Sequence, residues 1–401
     1  MERYSEYKDS GVKWLGEIPS HWEVKRLGSF FSERKEKVSD QDYAPLSVTK
    51  QGIFPQLENV AKTNDGDNRK LVKEGDFVIN SRSDRKGSSG VSELDGSVSL
   101  INLVLQPRKT IFGPFCNYLL KSYGFIEENY RNGRGIVADL WTTRYNEMKM
   151  IKVAMPSLEE QKTISSYLDT ATSEIDKAIA MQQKMIDLQN ERKQIIIQNA
   201  VTKGLDENVE MKESGVEWIG RIPKHWGLIK IKHLAKLQSG SNLTSNDISD
   251  IGLYPVYGGN GQRGYYNRYN CEGSYILIGR QGALCGNINY AEGKFWATEH
   301  AVVCYPKKGY NTLWLGETLR LMNLGQYSLA TAQPGLAVER INGLYLPYPA
   351  LEEQNGIALF LKNKIDKIDL YAKYCQRQIT LLQERKQIII NEVVTGKVRV
   401  S

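Results

Sequence analysis

The sequence predicts a mixed α/β, strand-rich protein with two globular domains, joined by two long helices that pack antiparallel as a coiled coil. Three features of the 401-residue chain predict this fold. Motifs recur in the same order in both halves, two long segments carry an apolar heptad pattern, and the stretches between them alternate short apolar runs with turn residues.

The internal repeat is visible when the chain is compared with itself. Three motifs recur: DSGVKWLGEIPSHW (9–22) as ESGVEWIGRIPKHW (213–226), PSLEEQ (156–161) as PALEEQ (349–354), and ERKQIII (191–197) unchanged at 384–390. The first pair is identical at nine of fourteen positions, and the last two pairs share one offset. The chain is therefore built from two similar halves.

These motifs divide the chain into six consecutive parts. They are a leading segment (1–22), a first variable domain (23–155), a long helix (156–205), a second leading segment (206–226), a second variable domain (227–348), and a second long helix with the C-terminal tail (349–401). The variable domains do not match each other in sequence, and each has a net charge of +4. A repeated frame therefore holds two different, basic inserts.

Both helical segments start after a proline and place two glutamates in the first turn, where carboxylates favour the helix dipole. Apolar residues then recur at alternating spacings of four and three, which is typical of a coiled-coil seam. The predicted seam residues are Leu168, Ile175, Ile179, Ile186 and Ile196 in the first helix, and Leu361, Ile365, Ile368, Ile379, Leu382 and Ile389 in the second. Polar residues such as Lys193 and Lys386 interrupt the seam, and such interruptions can specify register.

The length of the helices predicts their direction. About 42 helical residues extend ~60 Å, whereas a compact domain of the size of the second variable stretch has a radius of gyration of only ~14 Å. Parallel helices would force that stretch to span the whole rod. Antiparallel packing brings the joined ends together, so we expect a pseudo-twofold repeat, one domain at each end and neighbouring chain termini.

The first variable domain contains strand-like runs at 43–54, 74–82 and 96–107. Between them, NSRSDRKGSSG (80–90) combines Arg82, Arg85 and Lys86 with small and hydroxyl residues, a composition suited to phosphates and base edges. A solvated surface loop is the alternative interpretation.

The second variable domain contains the glycine-rich, loop-like run VYGGNGQRGYYNRYN (256–270). The run ILIGRQGALCGNINY (276–290) predicts a strand, a tight turn with Arg280 and Gln281 at its tip, and a returning strand, and FWATEHAVV (295–303) predicts another buried strand. Arg suits guanine and Asn or Gln suits adenine. The tyrosines and glycines could instead be core edges and turn formers.

Several function classes lack their motifs. The chain has no P-P pair for an adenine methyltransferase tetrapeptide, no Walker A sequence and no P-D…(D/E)-x-K nuclease cluster. His21 and His225 occupy equivalent positions beside tryptophans, which indicates packing rather than catalysis, and the five cysteines show no C-x-x-C pair. No signal or membrane-spanning stretch is evident, so we expect a cytoplasmic protein without its own metal.

The motifs together resemble the specificity subunits of type I restriction-modification systems. They are S-G-V-x-W-[LI]-G-x-I-P-x-H-W, P-x-L-E-E-Q before a helix that ends E-R-K-Q-x-I-I, G-G-N-G-x-x-G-Y-Y and G-R-x-G-x-x-G. The resemblance implies a non-catalytic subunit whose two target recognition domains each read one half of an interrupted, asymmetric DNA site, with the helices setting the gap. It also implies two methyltransferase subunits and two restriction/translocase subunits as partners, which would bind S-adenosylmethionine, ATP and Mg²⁺.

The same resemblance implies two sets of contact residues. The expected DNA-binding residues are Asn80, Arg82, Ser83, Arg85, Lys86, Ser88, Arg134, Arg144, Gly259, Asn260, Gln262, Arg263, Tyr265, Tyr266, Arg268, Arg280, Gln281 and Arg340. The expected partner-binding residues are Leu158, Glu159, Glu160, Gln161, Leu351, Glu352, Glu353 and Gln354. Two alternatives remain, namely the specificity region of a fused enzyme or cryptic nuclease, and a scaffold whose inserts bind protein.

Overall fold

The computed structural model describes residues 2–56, 66–135, 141–282, 284–328 and 335–400. This part of the chain forms two compact units, Met1–Gln182 with Arg377–Ser401, and Gln183–Gln376. The unit boundaries fall inside the two long helices, so each unit contains one variable domain and a part of each helix. Four stretches of the predicted variable domains lie outside the described residues, namely 57–65, 136–140, 283 and 329–334.

The first unit is built mainly from short strands. Its strands are β1 (Tyr7–Asp9), β2 (Glu17–Pro19), β3 (Glu23–Arg26), β4 (Phe31–Glu33), β5 (Lys37–Val38), β6 (Leu46–Val48), β7 (Ile53–Pro55), β8 (Arg69–Val72), β9 (Phe77–Asn80), β10 (Ser89–Val91), β11 (Gly96–Val98), β12 (Asn102–Pro107) and β13 (Lys152–Met155). Its helices are α1 (Gly113–Leu120), α2 (Tyr123–Arg131), α3 (Tyr145–Met148) and the first part of α4 (Leu158–Lys203).

The second unit repeats this composition. Its strands are β14 (Met211–Glu213), β15 (Arg221–Pro223), β16 (Gly227–Lys230), β17 (Ala235–Ser239), β18 (Tyr254–Gly258), β19 (Gly261–Tyr266), β20 (Cys271–Glu272), β21 (Tyr275–Gly279), β22 (Ile288–Ala291), β23 (Lys294–Ala297), β24 (Ala301–Pro306) and β25 (Tyr345–Tyr348). Its helices are the last part of α4, α5 (Ile231–Leu234), α6 (Thr312–Leu321), α7 (Val338–Asn342) and the first part of α8 (Leu351–Val394), whose last part lies in the first unit. The predicted fold class is confirmed.

The two variable domains share one sheet despite their unlike sequences. In the described residues, the first unit has an antiparallel sheet of order β10-β9-β12-β4, and the second has the order β22-β21-β24-β17. The strand registers also correspond, since Asn80 lies opposite Asn102 and Gly279 lies opposite Ala301. A helix follows the third of these strands in each unit, α1 or α6. The variable domains are therefore two versions of one topology.

A second sheet differs between the units. The first unit adds the three-stranded sheet β11-β8-β5 and the hairpin β6-β7, whereas the second adds the four-stranded sheet β19-β18-β23-β20. In the latter, β18 runs parallel to β23 and antiparallel to β19. Differences between the two inserts are thus concentrated outside the shared sheet.

Three local predictions in the variable domains are wrong. The run 256–270 is mostly a hairpin of β18 and β19, since two residues suffice to connect the strands. The run 295–303 is not one strand, because the Ala301 N–H bonds the Thr298 carbonyl and the chain turns from β23 into β24. Arg280 and Gln281 do not form the tip of a tight turn, because β22 begins only at Ile288.

The long helices pack antiparallel within each unit. In the second unit, Lys193 pairs with Asp369, and a Cβ on Gly204 would lie 3.4 Å from Glu353. Residues later in α4 therefore contact residues earlier in α8. In the first unit, Lys386 pairs with Asp176 in the same sense. All predicted seam residues are buried or half-buried, as apolar residues between paired helices should be.

Each leading segment is a small hairpin that closes a core at a helix end. The indoles of Trp22 and Trp226 are buried in the cores of the first and second units. The Lys397 ammonium donates to the Leu15 carbonyl at 2.7 Å. The Arg399 N–H bonds the Glu2 carbonyl at 2.8 Å, so the two ends of the described chain are neighbours in the first unit, as predicted.

Candidate nucleic-acid interface

The first candidate site is the segment that follows β9. The Ser81 N–H donates to the Ile101 carbonyl and the Ser83 N–H donates to the Trp141 carbonyl, at 3.2 and 3.1 Å. Arg134 and Thr142 exchange two backbone hydrogen bonds of 2.9 Å. Backbone hydrogen bonds from the segments around 134 and 142 thus hold the chain that follows β9. They bring the predicted Arg82 and Ser83 close to the predicted Arg134, which lies about fifty positions later.

Three cations in this region already have partners. The Lys86 ammonium lies 2.7 Å from a Glu127 oxygen and 4.4 Å from the centre of the Tyr130 ring. Arg85 pairs with Asp84, and Arg134 pairs with Glu147 at 3.5 Å although its side chain is 82% exposed. The Arg85–Asp84 pair is exposed on both sides and contributes at most about 1 kcal/mol, so a phosphate could displace the Asp84 carboxylate.

A groove of about 460 Å³ passes beside the same segment. Its lining includes four cations and one carboxylate, namely Lys35, Lys70, Arg82, Arg144 and Glu33. The Lys70 ammonium is held by the Asn102 carbonyl at 2.8 Å and by Glu33 at 3.4 Å. The sequence did not identify Lys35 and Lys70, because each precedes or occupies a strand with no local motif to mark it. The groove has the charge expected of a phosphate-binding surface.

Two other predicted residues, Asn80 and Ser88, hold the backbone of this segment through hydrogen bonds. The Asn80 side-chain oxygen accepts the Arg82 N–H at 3.0 Å. Ser88 is only 5% exposed, and its carbonyl accepts the Asn80 N–H at 2.9 Å. The structure therefore places Ser88 beneath the surface, where it cannot contact DNA directly without a rearrangement.

The second candidate site lies where the β18–β19 turn meets the end of β21. A Cβ on Gly279 would lie 2.2 Å from the Gly259 carbonyl oxygen, and one on Gly259 would lie 3.1 Å from the His300 carbonyl oxygen. The Asn287 side-chain amide donates to the Asn260 side-chain oxygen at 3.0 Å. The two glycine-rich runs thus form one junction, and only glycine permits this close approach of backbones.

Side chains around this junction differ in their availability. Asn260, Gln262, Arg263, Gln281 and Arg340 are exposed, and so is Arg268, which follows the far end of β19 and does not lie at the junction. Arg280 donates to the Ser239 hydroxyl at 3.2 Å. Tyr266 packs edge-on against Trp296 with ring centres 5.3 Å apart, and Tyr265 is half-buried. Tyr266 of β19 therefore packs against β23, which favours a structural role for at least part of its ring.

The helix starts have equivalent geometries in the two units. The His21 ring nitrogen lies 3.0 Å from a Glu160 oxygen, and His225 lies 3.1 Å from Glu353. Trp22 also donates to Glu160, at 3.1 Å. Both histidines fasten a leading segment to a helix, in agreement with the packing role predicted for them.

Two predicted partner-binding residues are buried. The Gln161 side-chain oxygen accepts the Phe112 N–H at 2.8 Å, and Gln354 accepts the Asn311 N–H at 3.0 Å. Both amides also donate to the carbonyl of the proline that precedes their helix, at 3.1 and 3.0 Å. The structure places these glutamines inside the units and leaves Leu158, Glu159, Leu351 and Glu352 exposed at the helix starts.

The cysteines form no disulfide within the part of the chain that the structure describes. All five cysteines are free thiols. Burial raises the pKa of the Cys304 thiol to about 12 and that of Cys116 well above its usual value. Among the described residues, no group of three or more His, Cys, Asp or Glu side chains could hold a metal ion. No helix in this part of the chain is long and apolar enough to cross a bilayer.

Comparison with known proteins agrees with this geometry. Residues 223–379 match the family model of the type I restriction modification DNA specificity domain. The chain is 24% identical over 435 residues to the type I restriction enzyme MjaVIII specificity subunit of Methanocaldococcus jannaschii, covering 98% of this chain and 97% of that protein. The chain is thus similar to a type I specificity subunit over nearly its whole length.

Another specificity subunit aligns over a shorter region. The type I restriction enzyme EcoprrI specificity subunit of Escherichia coli is 39% identical over 161 residues, which is 38% of this chain and 40% of that protein. This alignment spans less than half of that relative's length.

Two solved structures share the fold of this chain. A chain from a study of complex assembly and conformational transition of the type I R-M system has a TM-score of 0.73 and 14% identity, covering 95% of this chain and 99% of that one. The HsdS subunit from Thermoanaerobacter tengcongensis has a TM-score of 0.53 and 15% identity, covering 97% and 100%.

Proposed function

We propose that this chain is the non-catalytic, DNA-reading subunit of a type I restriction-modification complex, in which each variable domain reads one half of a bipartite, asymmetric DNA site. The observation that carries the proposal is the shared sheet of the two units. The strand orders β10-β9-β12-β4 and β22-β21-β24-β17 are equivalent, while the residues at the ends of β9 and β21 differ. One topology with two sets of side chains can read two different words.

Charge supports nucleic acid as the ligand of these domains. The groove beside β9 contains Lys35, Lys70, Arg82 and Arg144, and the junction beside β21 has the exposed Arg263 on β19 close to the β18–β19 turn. Phosphate contacts fix the position of a domain on the duplex, and base-edge contacts from neighbouring side chains then select the sequence.

The helix pair is proposed to set the gap between the two half-sites. Stiff helices make the separation of two bound domains an energetic term, because a mismatched gap must be met by deforming the DNA. The exposed Leu158, Glu159, Leu351 and Glu352 occupy equivalent positions at the two helix starts. Two equivalent surfaces suit two copies of one methyltransferase subunit.

The proposed complex also contains two restriction/translocase subunits in the cytoplasm. S-adenosylmethionine, ATP and Mg²⁺ would be bound by those partners rather than by this chain. The specificity subunit itself would contribute only binding energy, directed to one DNA sequence.

A selection experiment tests the proposal. The full chain, assembled with its methyltransferase subunits, is mixed with duplexes that carry a long randomised region, and bound DNA is sequenced at several salt concentrations. We expect two short words at a fixed spacing, with binding that weakens steeply as salt increases. A protein-binding scaffold would enrich no words, and its weak DNA retention would lack the salt slope of phosphate contacts.

A further inference from the structure

Arg82 and Gln281 occupy the same position in the two variable domains. Each lies two residues beyond the end of an equivalent central strand, β9 or β21. Each then forms an isolated antiparallel bridge, Arg82 with Thr142 and Gln281 with Gly335. Thr142 and Gly335 are related by the same sequence offset as the repeated PSLEEQ and PALEEQ motifs. The repeat therefore makes these two residues structural counterparts, although the sequences around them do not align.

The backbone around Arg82 is fixed on both sides. Its own N–H donates to the Asn80 side-chain oxygen at 3.0 Å, and the Ser83 N–H donates to the Trp141 carbonyl at 3.1 Å. The side chain of Arg82 therefore leaves a backbone that is held by a strand end and by a second segment.

The backbone before Gln281 is fixed in the same way. The Arg280 N–H donates to the His300 carbonyl at 2.9 Å, and the Arg280 carbonyl accepts the Leu336 N–H at 2.8 Å. A clamped main chain reduces the entropy that is lost when the next side chain binds a ligand.

Within the part of the chain that the structure describes, both side chains are available to a ligand. Both residues are exposed, and neither the Arg82 guanidinium nor the Gln281 amide has a hydrogen-bond or ion-pair partner among the described residues. Their neighbours are engaged, since Arg85 pairs with Asp84 and Arg280 donates to Ser239. A fixed backbone that presents a free hydrogen-bonding side chain is the arrangement that base readout requires.

We propose that Arg82 and Gln281 are the equivalent base-reading residues of the two domains, with Arg82 contacting a guanine in one half-site and Gln281 an adenine in the other. The guanidinium fork matches the O6 and N7 acceptors of guanine, whereas a glutamine amide matches the N6 donor and N7 acceptor of adenine. This inference rests on the proposed function, because it needs two DNA words, and it names one contact in each word.

Phosphate binding is assigned to other residues. Lys35, Lys70 and Arg144 line the groove beside Arg82 and supply charge without needing a defined side-chain geometry. Gln281 carries no charge, so it cannot attract a phosphate electrostatically. A role that the two equivalent positions share is therefore base contact.

The test uses the full complex and the randomised duplexes described above, with the variants Arg82→Gln and Gln281→Arg. Arg131→Gln is the matched control, because Arg131 is exposed, pairs with Glu128 on α2 and does not line the groove. We expect Arg82→Gln to reduce guanine enrichment at one position of one word by roughly 5- to 150-fold and to leave the other word unchanged. Gln281→Arg should change one adenine position of the other word.

Each other outcome overturns the assignment. Uniform loss of binding with both words unchanged would mark Arg82 as a phosphate contact, and an equal change from Arg131→Gln would mark a nonspecific effect of charge. If the unaltered complex selects words that neither variant changes, the reading positions are wrong while the proposed function stands. If the unaltered complex selects no word, both fail. Melting temperatures equal to that of the control exclude misfolding, as expected for exposed side chains.

Discussion

The Lys193 ammonium lies 2.8 Å from an Asp369 carboxylate oxygen, and the repeat places the same pair, Lys386 and Asp176, at 2.7 Å in the first unit. Each lysine interrupts an apolar seam, and each aspartate is on the facing helix within the same unit. A lysine in a seam is tolerated best where a carboxylate faces it, which disfavours other registers. The ion pair in each unit therefore favours the same antiparallel register of α4 against α8.

Exchange of the charges tests this selection. Lys193→Asp should destabilise the protein because it sets two carboxylates against each other, and Asp369→Lys added to it should restore most of the loss. We expect a coupling free energy of about 0.5–1 kcal/mol from a double-mutant cycle in urea. The equivalent cycle on Lys386 and Asp176 is the internal control. Additive effects in both cycles would contradict a role in register.

Gly279→Ala tests the junction of the second variable domain. The new Cβ would lie 2.2 Å from the Gly259 carbonyl oxygen, so either β21 or the β18–β19 turn must move. We expect a loss of about 1–3 kcal/mol in the free energy of unfolding, with loss of one DNA word. Gly343→Ala is the control, because nothing lies within 4 Å of a Cβ at that position. Equal melting temperatures for the two variants would refute the close approach.

Arg144→Ala tests the groove of the first variable domain. If Arg144 contacts a phosphate, its removal should weaken binding equally for all sequences and reduce the slope of log K against log salt by about 1. Titrations at four salt concentrations measure that slope, and Arg131→Ala serves as the control outside the groove. A changed word with an unchanged slope would instead assign Arg144 to base contact.

Tyr118 predicts a pH dependence. Burial, with a contribution from the neighbouring Asp169 carboxylate, raises the pKa of Tyr118 to about 12, and its hydroxyl donates to Asp169 at 2.7 Å. The folded protein thus favours the protonated phenol, so this contribution to stability is complete below about pH 10 and is lost between about pH 10 and 12. Urea unfolding is measured at about pH 9 and about pH 11.5. The free energy of unfolding should fall more between these values for the unaltered chain than for Tyr118→Phe. Equal losses in the two proteins would contradict a stabilising role of the protonated Tyr118 phenol.

The sequence predicted the features that depend on repeated letters or on periodicity. Trp22 and Trp226 recur in identical motifs, so their equivalent burial could be expected. The seam from Leu168 to Ile196 follows from heptad spacing alone, and its antiparallel direction follows from chain length. These inferences depend on geometry that any apolar side chain satisfies.

The equivalence of the two variable domains could not be predicted in this way. Phe77 and Val78 of β9 correspond to Ile276 and Leu277 of β21, and all four are buried. A sheet core requires apolar volume rather than particular residues, so unlike letters fill the same positions. The strand order and the bridges to Thr142 and Gly335 reveal that Arg82 and Gln281 are counterparts.

Some errors arose where tertiary contacts override a local pattern. The apolar run at 295–303 is cut at Thr298 because its two parts pair with different sheets. Gln161 and Gln354 look like exposed residues of a helix start, yet each fills a buried position that only the folded loop before it creates. No helical periodicity marks such a residue.

Exchange of residues 23–155 for the corresponding domain of a type I specificity subunit tests the central claim most directly. The modified adenines are then sequenced in cells that carry the whole system with either the exchanged or the unaltered chain. The account predicts that one word of the site changes while the other word and the gap remain the same. An unchanged site, or the simultaneous change of both words, would contradict two separate readers on one repeated frame.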